Sequence, residues 1–175
     1  MKKIIIIGAG AMGSAFAVPC IDNKNDVTIV GTHLENDFIE KIKLGNQIHP
    51  ALKTKLSNKI KFEKFEKLQS VLEQDFDIIV CGVSSIGIEW FVKQISKNYK
   101  KRMPIVLLTK GLSVHNNELT TLSDKIKNLL SKEGHSEINI SAIKGPCLAA
   151  GLANKMRTGT VIANQNIKES QSLKE

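Results

Sequence analysis

A glycine pattern follows directly after the first apolar run of the chain. The sequence opens MKKIIIIGAGAMGSAFAVPC, so four consecutive isoleucines lead into G-x-G-x-x-G, and an alanine-rich stretch follows. In such an arrangement the first glycine permits a tight turn and the second lets the backbone approach a pyrophosphate. The third lets the helix pack closely on the strand. A strand before and a helix after therefore predict a dinucleotide-binding turn at Gly8, Gly10 and Gly13.

The same residues have a second interpretation as an export signal, because two lysines precede an apolar run that ends near Cys20. An export signal needs an uninterrupted apolar helical segment before its cleavage site. Here three glycines interrupt the segment and weaken a helix, and Pro19 stands where a lipoprotein-type signal has a small residue. A second strand-like run follows at residues 27–30. The dinucleotide interpretation is therefore favoured.

Length, composition and net charge limit the classes of protein to which the chain can belong. Its 175 residues are 42% hydrophobic and 24% charged, typical of one globular domain. No stretch approaches the about 20 apolar residues that a membrane span needs. The net charge of +8 is spread along the chain with few arginines and aromatics, whereas nucleic-acid surfaces cluster their charge and use arginine. We expect a lysine-rich surface that attracts phosphorylated ligands, and no nucleic-acid partner.

The cysteines and histidines indicate neither a disulfide framework nor a metal site. The three cysteines lie far apart, without a C-x-x-C pair, and the four histidines lack metal-ligand spacing. We expect a reducing cytoplasm, no metal, and core positions for Cys20 and Cys81. Cys147 is either a nucleophile at a helix N-terminus or a passive small residue. The passive role is favoured, because no general base is evident.

Strands and helices are predicted to alternate along almost the whole chain. The predicted strands cover residues 4–7, 27–30, 59–62, 77–83, 105–108, 138–143 and 160–163. The predicted helices cover residues 11–21, 36–44, 65–73, 86–98, 118–131 and 147–154, and residues 45–58 are predicted to be a polar loop. The helix over 118–131 is expected to bury Leu119, Leu122, Ile126 and Leu129.

This alternation predicts parallel βαβ units and hence an α/β fold of the Rossmann type, with a doubly wound, mostly parallel sheet and helices on both faces. Ligands of such sheets lie at the carboxyl ends of the strands. The site is therefore expected in the loops GAGAMG, VGTHLE, GVSS, LTKGL and IKGPCLAAG.

The end of the second strand bears on which dinucleotide binds. An NAD-selective site usually has Asp or Glu there, which binds the ribose 2′-hydroxyl. This chain has Thr32 and His33 instead, and its first acid, Glu35, comes three residues after Thr32. Without a carboxylate at the strand end, a 2′-phosphate meets no repulsion, and Thr32 and His33 could donate hydrogen bonds to it. Both NADP and NAD are expected cofactors, with NADP(H) bound at least as well as NAD(H).

Four loops in order resemble those of the bacterial NAD(P)-dependent glycerol-3-phosphate dehydrogenases. The segments are GAGAMG, VSS at residues 83–85, LLTKGL at 107–112, and KGPCLAAGLANKMRTGTVIA at 144–163. That family carries V-P-S, T-K-G-L and S-G-P-[ST]-F-A-K-E at the last three places. The glycine turn alone is similar to that of ketopantoate reductase as well, and a non-catalytic dinucleotide-binding module also remains open.

The resemblance implies functional residues position by position. Those implied to bind the cofactor are Gly8, Gly10, Ala11, Met12, Gly13, Thr32, Ser85, Lys110 and Ala149. Those implied to bind the substrate are Lys110 and Gly145. Lys110 also stands out by itself, because a lysine at the carboxyl end of an apolar strand can pair with a phosphate or polarise a carbonyl. The departures from the family pattern are Lys144, Cys147, Leu148, Ala150, Gly151 and Arg157, and they bear on substrate specificity.

The resemblance also implies an activity. Members interconvert dihydroxyacetone phosphate and glycerol 3-phosphate with NAD(P)H, which supplies a glycerophospholipid precursor, and the whole protein is expected to be a cytoplasmic homodimer. Residues 1–163 are expected to form the NAD(P)-binding domain, and residues 164–175 the start of a truncated crossover helix. The catalytic lysine is expected in a helical domain beyond Glu175, so this chain is expected to bind cofactor without turnover.

Overall fold

The structure is a computed structural model, and it describes residues 1–100, 102–115 and 117–174. The strands within this part are β1 (Lys3–Ile7), β2 (Asp26–Val30), β3 (Ile48–His49), β4 (Thr54–Lys55), β5 (Lys61–Glu63), β6 (Ile78–Cys81), β7 (Pro104–Leu107), β8 (Leu112–His115), β9 (Glu118–Thr121), β10 (Asn139–Lys144) and β11 (Val161–Ala163). The α-helices are α1 (Ala11–Asp22), α2 (Asn36–Leu44), α3 (Leu68–Leu72), α4 (Ile88–Ile95), α5 (Leu122–Lys132), α6 (Ala149–Ala153) and α7 (Ile167–Ser172).

The isoleucine run forms β1, an interior strand of the main sheet. The strand order is β11-β10-β7-β6-β1-β2-β5, and β1 pairs in parallel with both β2 and β6. All pairs in this sheet are parallel except β10 with β11. The chain builds outward from β1 in one direction through β2 and β5, and in the other through β6, β7 and β10. The order therefore reverses between β1 and β6, which is where an open α/β sheet binds its ligand. The predicted fold class is confirmed.

Both faces of the sheet are buried, which explains why β1 is apolar at every position after Lys3. Ile5 and Ile7 belong to a core cluster that includes residues of α3, α4 and α5. Ile4 and Ile6 point to the other face, into a cluster with residues of α1, α2 and α6. Successive strand residues alternate between faces, so the run supplies both cores at once.

One predicted helix begins later than the pattern indicates. Residues 118–121 pair with residues 112–115 as the antiparallel hairpin β8–β9, and α5 starts at Leu122. Thr121 explains the boundary, because its Oγ1 accepts the N–H of Asp124 at 3.1 Å and caps the helix. Leu119, predicted for the buried helix face, is instead 72% exposed on β9.

Residues 45–58, predicted as a polar loop, contain the short hairpin β3–β4. Strands of two residues are too short to produce an alternating pattern, so the hairpin left no signal in the sequence. The segment also contributes to the core: Leu52, Leu56 and His49 are all buried. After β11, α7 begins at Ile167, and Asn166 caps it by accepting the N–H of Lys168 at 3.1 Å. Among the helices of the described residues, none is long and apolar enough to cross a bilayer.

Candidate functional site

The glycine turn lies at the carboxyl end of β1, where three backbone segments converge. Gly8 has a φ of +108°, and a Cβ there would lie 2.8 Å from the carbonyl carbon of Gly82, which follows β6. A Cβ at Gly13 would lie 2.2 Å from the carbonyl oxygen of Gly8. At Gly10, in contrast, the nearest atom is Glu35 Oε1 at 3.6 Å. The turn is closely packed behind and open in front, which suits the approach of a phosphate to the N-terminus of α1.

A carboxylate stands beside the turn at the end of β2. Glu35 Oε2 accepts the N–H of Ala9 at 3.0 Å and the N–H of Thr32 at 2.7 Å. Sequence spacing alone does not identify Glu35 as an acid at the end of β2, because it follows Thr32 by three residues. The intervening residues fold back so that its side chain returns to the strand end. The structure therefore brings an acid to the end of β2, and the expectation that no carboxylate lies there is wrong.

A buried imidazole lies behind the turn. His49, on β3, has no exposed surface. Its Nδ1 accepts the N–H of Leu52 at 3.1 Å, and its Nε2 lies 3.3 Å from the carbonyl oxygen of Ala9. Burial holds the pKa of His49 below the ordinary value of 6.5, and the hydrogen bond to the Ala9 carbonyl, together with nearby Glu35, offsets part of this shift. The same Ala9 oxygen accepts the hydroxyl of Ser14 at 2.9 Å.

Two lysines lie at the carboxyl ends of β7 and β10. Lys110 Nζ donates to the carbonyl oxygen of Gly145 at 2.7 Å and to that of Cys147 at 3.4 Å. Lys144 Nζ donates across to the carbonyl oxygen of Thr109 at 3.4 Å. The structure thus brings together the two residues that the family resemblance implies for the substrate, Lys110 and Gly145, and adds the amine of Lys144 from the neighbouring strand.

The other predicted cofactor residues lie around the same edge. Ser85 is exposed in the 3₁₀ turn Ser85–Gly87 after β6. Ala11 and Met12 begin α1, Ala149 begins α6, and all three border the same core cluster. His33 packs against two aromatic rings, with its centroid 6.0 Å from that of Phe65 and 5.8 Å from that of Trp90.

Cys81 and Cys147 are buried, whereas Cys20, which was also expected in the core, is only partly buried. Burial raises the pKa of Cys20 and of Cys81 to about 12, so neither thiol ionises near neutral pH. Cys147 is 4% exposed and meets Lys110 through its carbonyl. In the described part of the chain the cysteines are free, and no cluster of three metal-ligating side chains is found.

Comparison with known families gives a match over almost the whole chain. The model of the NAD-dependent glycerol-3-phosphate dehydrogenase N-terminus matches residues 3–170. The NADP(+)-dependent glycerol-3-phosphate dehydrogenase of Archaeoglobus fulgidus is 34% identical over 172 residues, which are 98% of this chain and 49% of that protein. The glycerol-3-phosphate dehydrogenase [NAD(P)+] of Mesoplasma florum is also 34% identical, with the same shares covered.

Solved structures agree on the fold. The glycerol-3-phosphate dehydrogenase of Coxiella burnetii superposes with a TM-score of 0.77 at 20% identity, covering 98% of this chain and 49% of that one. The chain therefore spans about half the length of the curated relatives it matches.

Proposed function

This chain belongs to the NAD-dependent glycerol-3-phosphate dehydrogenase family, as its N-terminal, NAD-binding part, and we propose on that basis the roles of its residues and the activity of the whole protein. We propose that the protein interconverts dihydroxyacetone phosphate and glycerol 3-phosphate. The observation that carries the proposal is the position of Lys110. Its amine is held against Gly145 at the same sheet edge as the open glycine turn. A cation and a phosphate-binding turn at one edge suit a phosphorylated substrate beside a dinucleotide.

We propose the cofactor-binding residues from their positions at the carboxyl ends of the strands. The turn and the first residues of α1 can offer backbone N–H groups to the pyrophosphate. Thr32 follows the end of β2, and we propose that it lies near the adenosine ribose. Ser85 lies in the 3₁₀ turn after β6, and Ala149 begins α6 after β10. The full set that we propose for the cofactor is Gly8, Gly10, Ala11, Met12, Gly13, Thr32, Ser85, Lys110 and Ala149.

When bound, the nicotinamide supplies or accepts a hydride. The chain's own part is to hold the substrate, for which we propose Lys110 and Gly145. The Lys110 ammonium can exchange its backbone acceptors for a phosphate or hydroxyl oxygen of the substrate, and such charge-assisted bonds are the strong ones. Lys144 adds a second positive charge beside it.

Glu35 sets the balance between the two dinucleotides. A carboxylate at the end of β2 can accept a ribose 2′-hydroxyl, but it repels a 2′-phosphate. We therefore propose that the site accepts both NAD(H) and NADP(H), and that Glu35 limits the affinity for NADP(H). This reverses the physical basis on which the sequence favoured NADP(H).

We propose a cytoplasmic location, which the free thiols of the described cysteines support. A homodimer of the whole protein is proposed from the family resemblance alone. Residues 1–163 are proposed as the dinucleotide-binding domain, with α7 as the start of the next crossover.

The experiment is a substrate assay on the full product of the gene. We expect oxidation of NADH or NADPH that depends on dihydroxyacetone phosphate, and none with ketopantoate. Turnover with ketopantoate alone would contradict the proposal. Dinucleotide binding without turnover on either substrate would favour a non-catalytic module.

A further inference from the structure

The peptide between Ala9 and Gly10 has a fixed direction. Two donors hold the Ala9 carbonyl oxygen from behind the turn, the hydroxyl of Ser14 at 2.9 Å and Nε2 of His49 at 3.3 Å. In a trans peptide the C=O and the following N–H point in opposite directions. Holding the Ala9 oxygen toward the interior therefore turns the Gly10 N–H toward the open front of the turn.

The hydrogen bonds of His49 define its tautomer. Leu52 donates its N–H to Nδ1, so Nδ1 carries no proton, and in the neutral ring the proton is on Nε2, which faces Ala9. The ring is fully buried and packs edge-on against Phe38, with centroids 4.8 Å apart. His49 is thus a donor of fixed orientation, supplied by the hairpin β3–β4.

We propose that His49 is a positioning residue of the dinucleotide site, which aims the Gly10 N–H at the cofactor's pyrophosphate through the Ala9 carbonyl. The proposal rests on the assignment of the glycine turn to dinucleotide binding. It gives a function to residues 45–58, because the hairpin in that segment carries the imidazole. Without the His49 bond, the Ser14 bond alone restrains the peptide, and the Gly10 N–H loses part of its alignment.

Two variants of His49 separate the bond to the turn from the bond to the hairpin. His49→Gln keeps a donor near the position of Nε2. His49→Asn keeps an acceptor near Nδ1 for Leu52 but cannot reach Ala9. Leu56→Ala is the control, because Leu56 is 2% exposed in the same segment and its side chain makes no hydrogen bond to the turn.

The test measures NADH affinity, thermal midpoint and the Gly10 amide resonance of each variant. We expect His49→Asn to weaken NADH binding about fivefold, within the range of one hydrogen bond, and to shift the Gly10 amide without ligand. His49→Gln should stay within about twofold of wild type. Leu56→Ala should lower the thermal midpoint and leave the NADH affinity and the Gly10 amide resonance near their wild-type values.

The outcomes distinguish this proposal from the assigned function. If His49→Asn leaves the Gly10 amide and the affinity unchanged, or if Leu56→Ala weakens NADH as much for the same loss of stability, His49 is only structural and the proposal is overturned. If wild type does not bind NADH but the Gly10 amide moves in His49→Asn alone, the assigned function fails while the aiming of this peptide by His49 stands.

Discussion

The α-carbon of Gly13 faces the carbonyl oxygen of Gly8 so closely that a Cβ would lie 2.2 Å from it. Both atoms belong to rigid backbone, one in α1 and the other at the end of β1. Neither can move without shifting the helix on the sheet. The third glycine of the motif therefore stabilises the packing of α1 on the sheet, whether or not a ligand is bound.

We predict that Gly13→Ala destabilises the chain by about 3 kcal/mol, the upper part of the range for overpacking. Chemical denaturation measures it. Gly151→Ala is the matched control, because Gly151 lies within α6 with nothing within 4 Å of its added Cβ. It should be neutral or slightly stabilising, since alanine favours a helix over glycine. Equal stability of the two variants would show that α1 is not docked as described.

We predict that Glu35→Gln shifts cofactor preference toward NADPH. Glutamine keeps an oxygen for the N–H groups of Ala9 and Thr32 but removes the charge that repels a 2′-phosphate. The ratio of the dissociation constants for NADPH and NADH should fall about tenfold, or 1.4 kcal/mol. Glu40→Gln removes the same charge from a carboxylate that pairs with Lys64 on the outside of α2, and should leave the ratio unchanged. An unchanged ratio in Glu35→Gln would mean that the ribose 2′ position of the cofactor does not lie beside Glu35.

We predict that Lys110→Gln weakens binding of glycerol 3-phosphate by roughly 10- to 100-fold, as expected for a hydrogen bond to a charged group. Titration in the presence of saturating NADH, followed by NMR, measures the change. Lys127→Gln removes the same charge from an exposed position on α5 and is the control. An equal loss in both variants would mean that net charge, rather than the placement of Lys110, attracts the phosphate.

Stability should fall as the pH is lowered through the interval just below 6.5, and His49 should contribute. Its folded pKa lies below the ordinary 6.5, so between these two values the unfolded chain binds a proton that the folded chain does not. Fewer protons on the folded state mean that its stability decreases as the pH falls through this interval. The thermal midpoint of His49→Asn should change less over the same range. Parallel pH profiles would assign the acid sensitivity to other groups.

Local patterns predicted the sheet, and the reasons lie in particular residues. Four isoleucines followed by glycines at a set spacing leave few alternatives to a buried strand and a ligand-binding turn. The start of α5 could not be predicted from the sequence, because residues 118–121 continue the helical pattern of the residues that follow them. The hydrogen bonds of Thr121 and the pairing of β9 with β8 decide the boundary.

The site was predicted only where its residues are close in sequence. Glu35 and His49 follow Ala9 by 26 and 40 residues, and both contact its peptide groups through side chains. Neither contact has a local signature. One depends on how the chain turns after β2, and the other on a hairpin of two-residue strands. The position of a basic or acidic side chain near a strand end can be predicted only when the path of the chain between the two residues is known.

We propose that the glycine turn binds a dinucleotide, and Gly10 allows this to be tested directly. Gly10 has φ −61° and ψ 175°, which alanine also adopts, and its added Cβ would meet only Glu35 Oε1 at 3.6 Å. Gly10→Ala should therefore fold with an unchanged thermal midpoint, while its methyl group occupies the open front of the turn. The measurement is titration of residues 1–175 and of this variant with NADH, followed by the fluorescence of Trp90. We predict saturable binding by the wild-type chain and at least about a tenfold loss in Gly10→Ala, or 1.4 kcal/mol. Equal affinity in the two folded chains would contradict it.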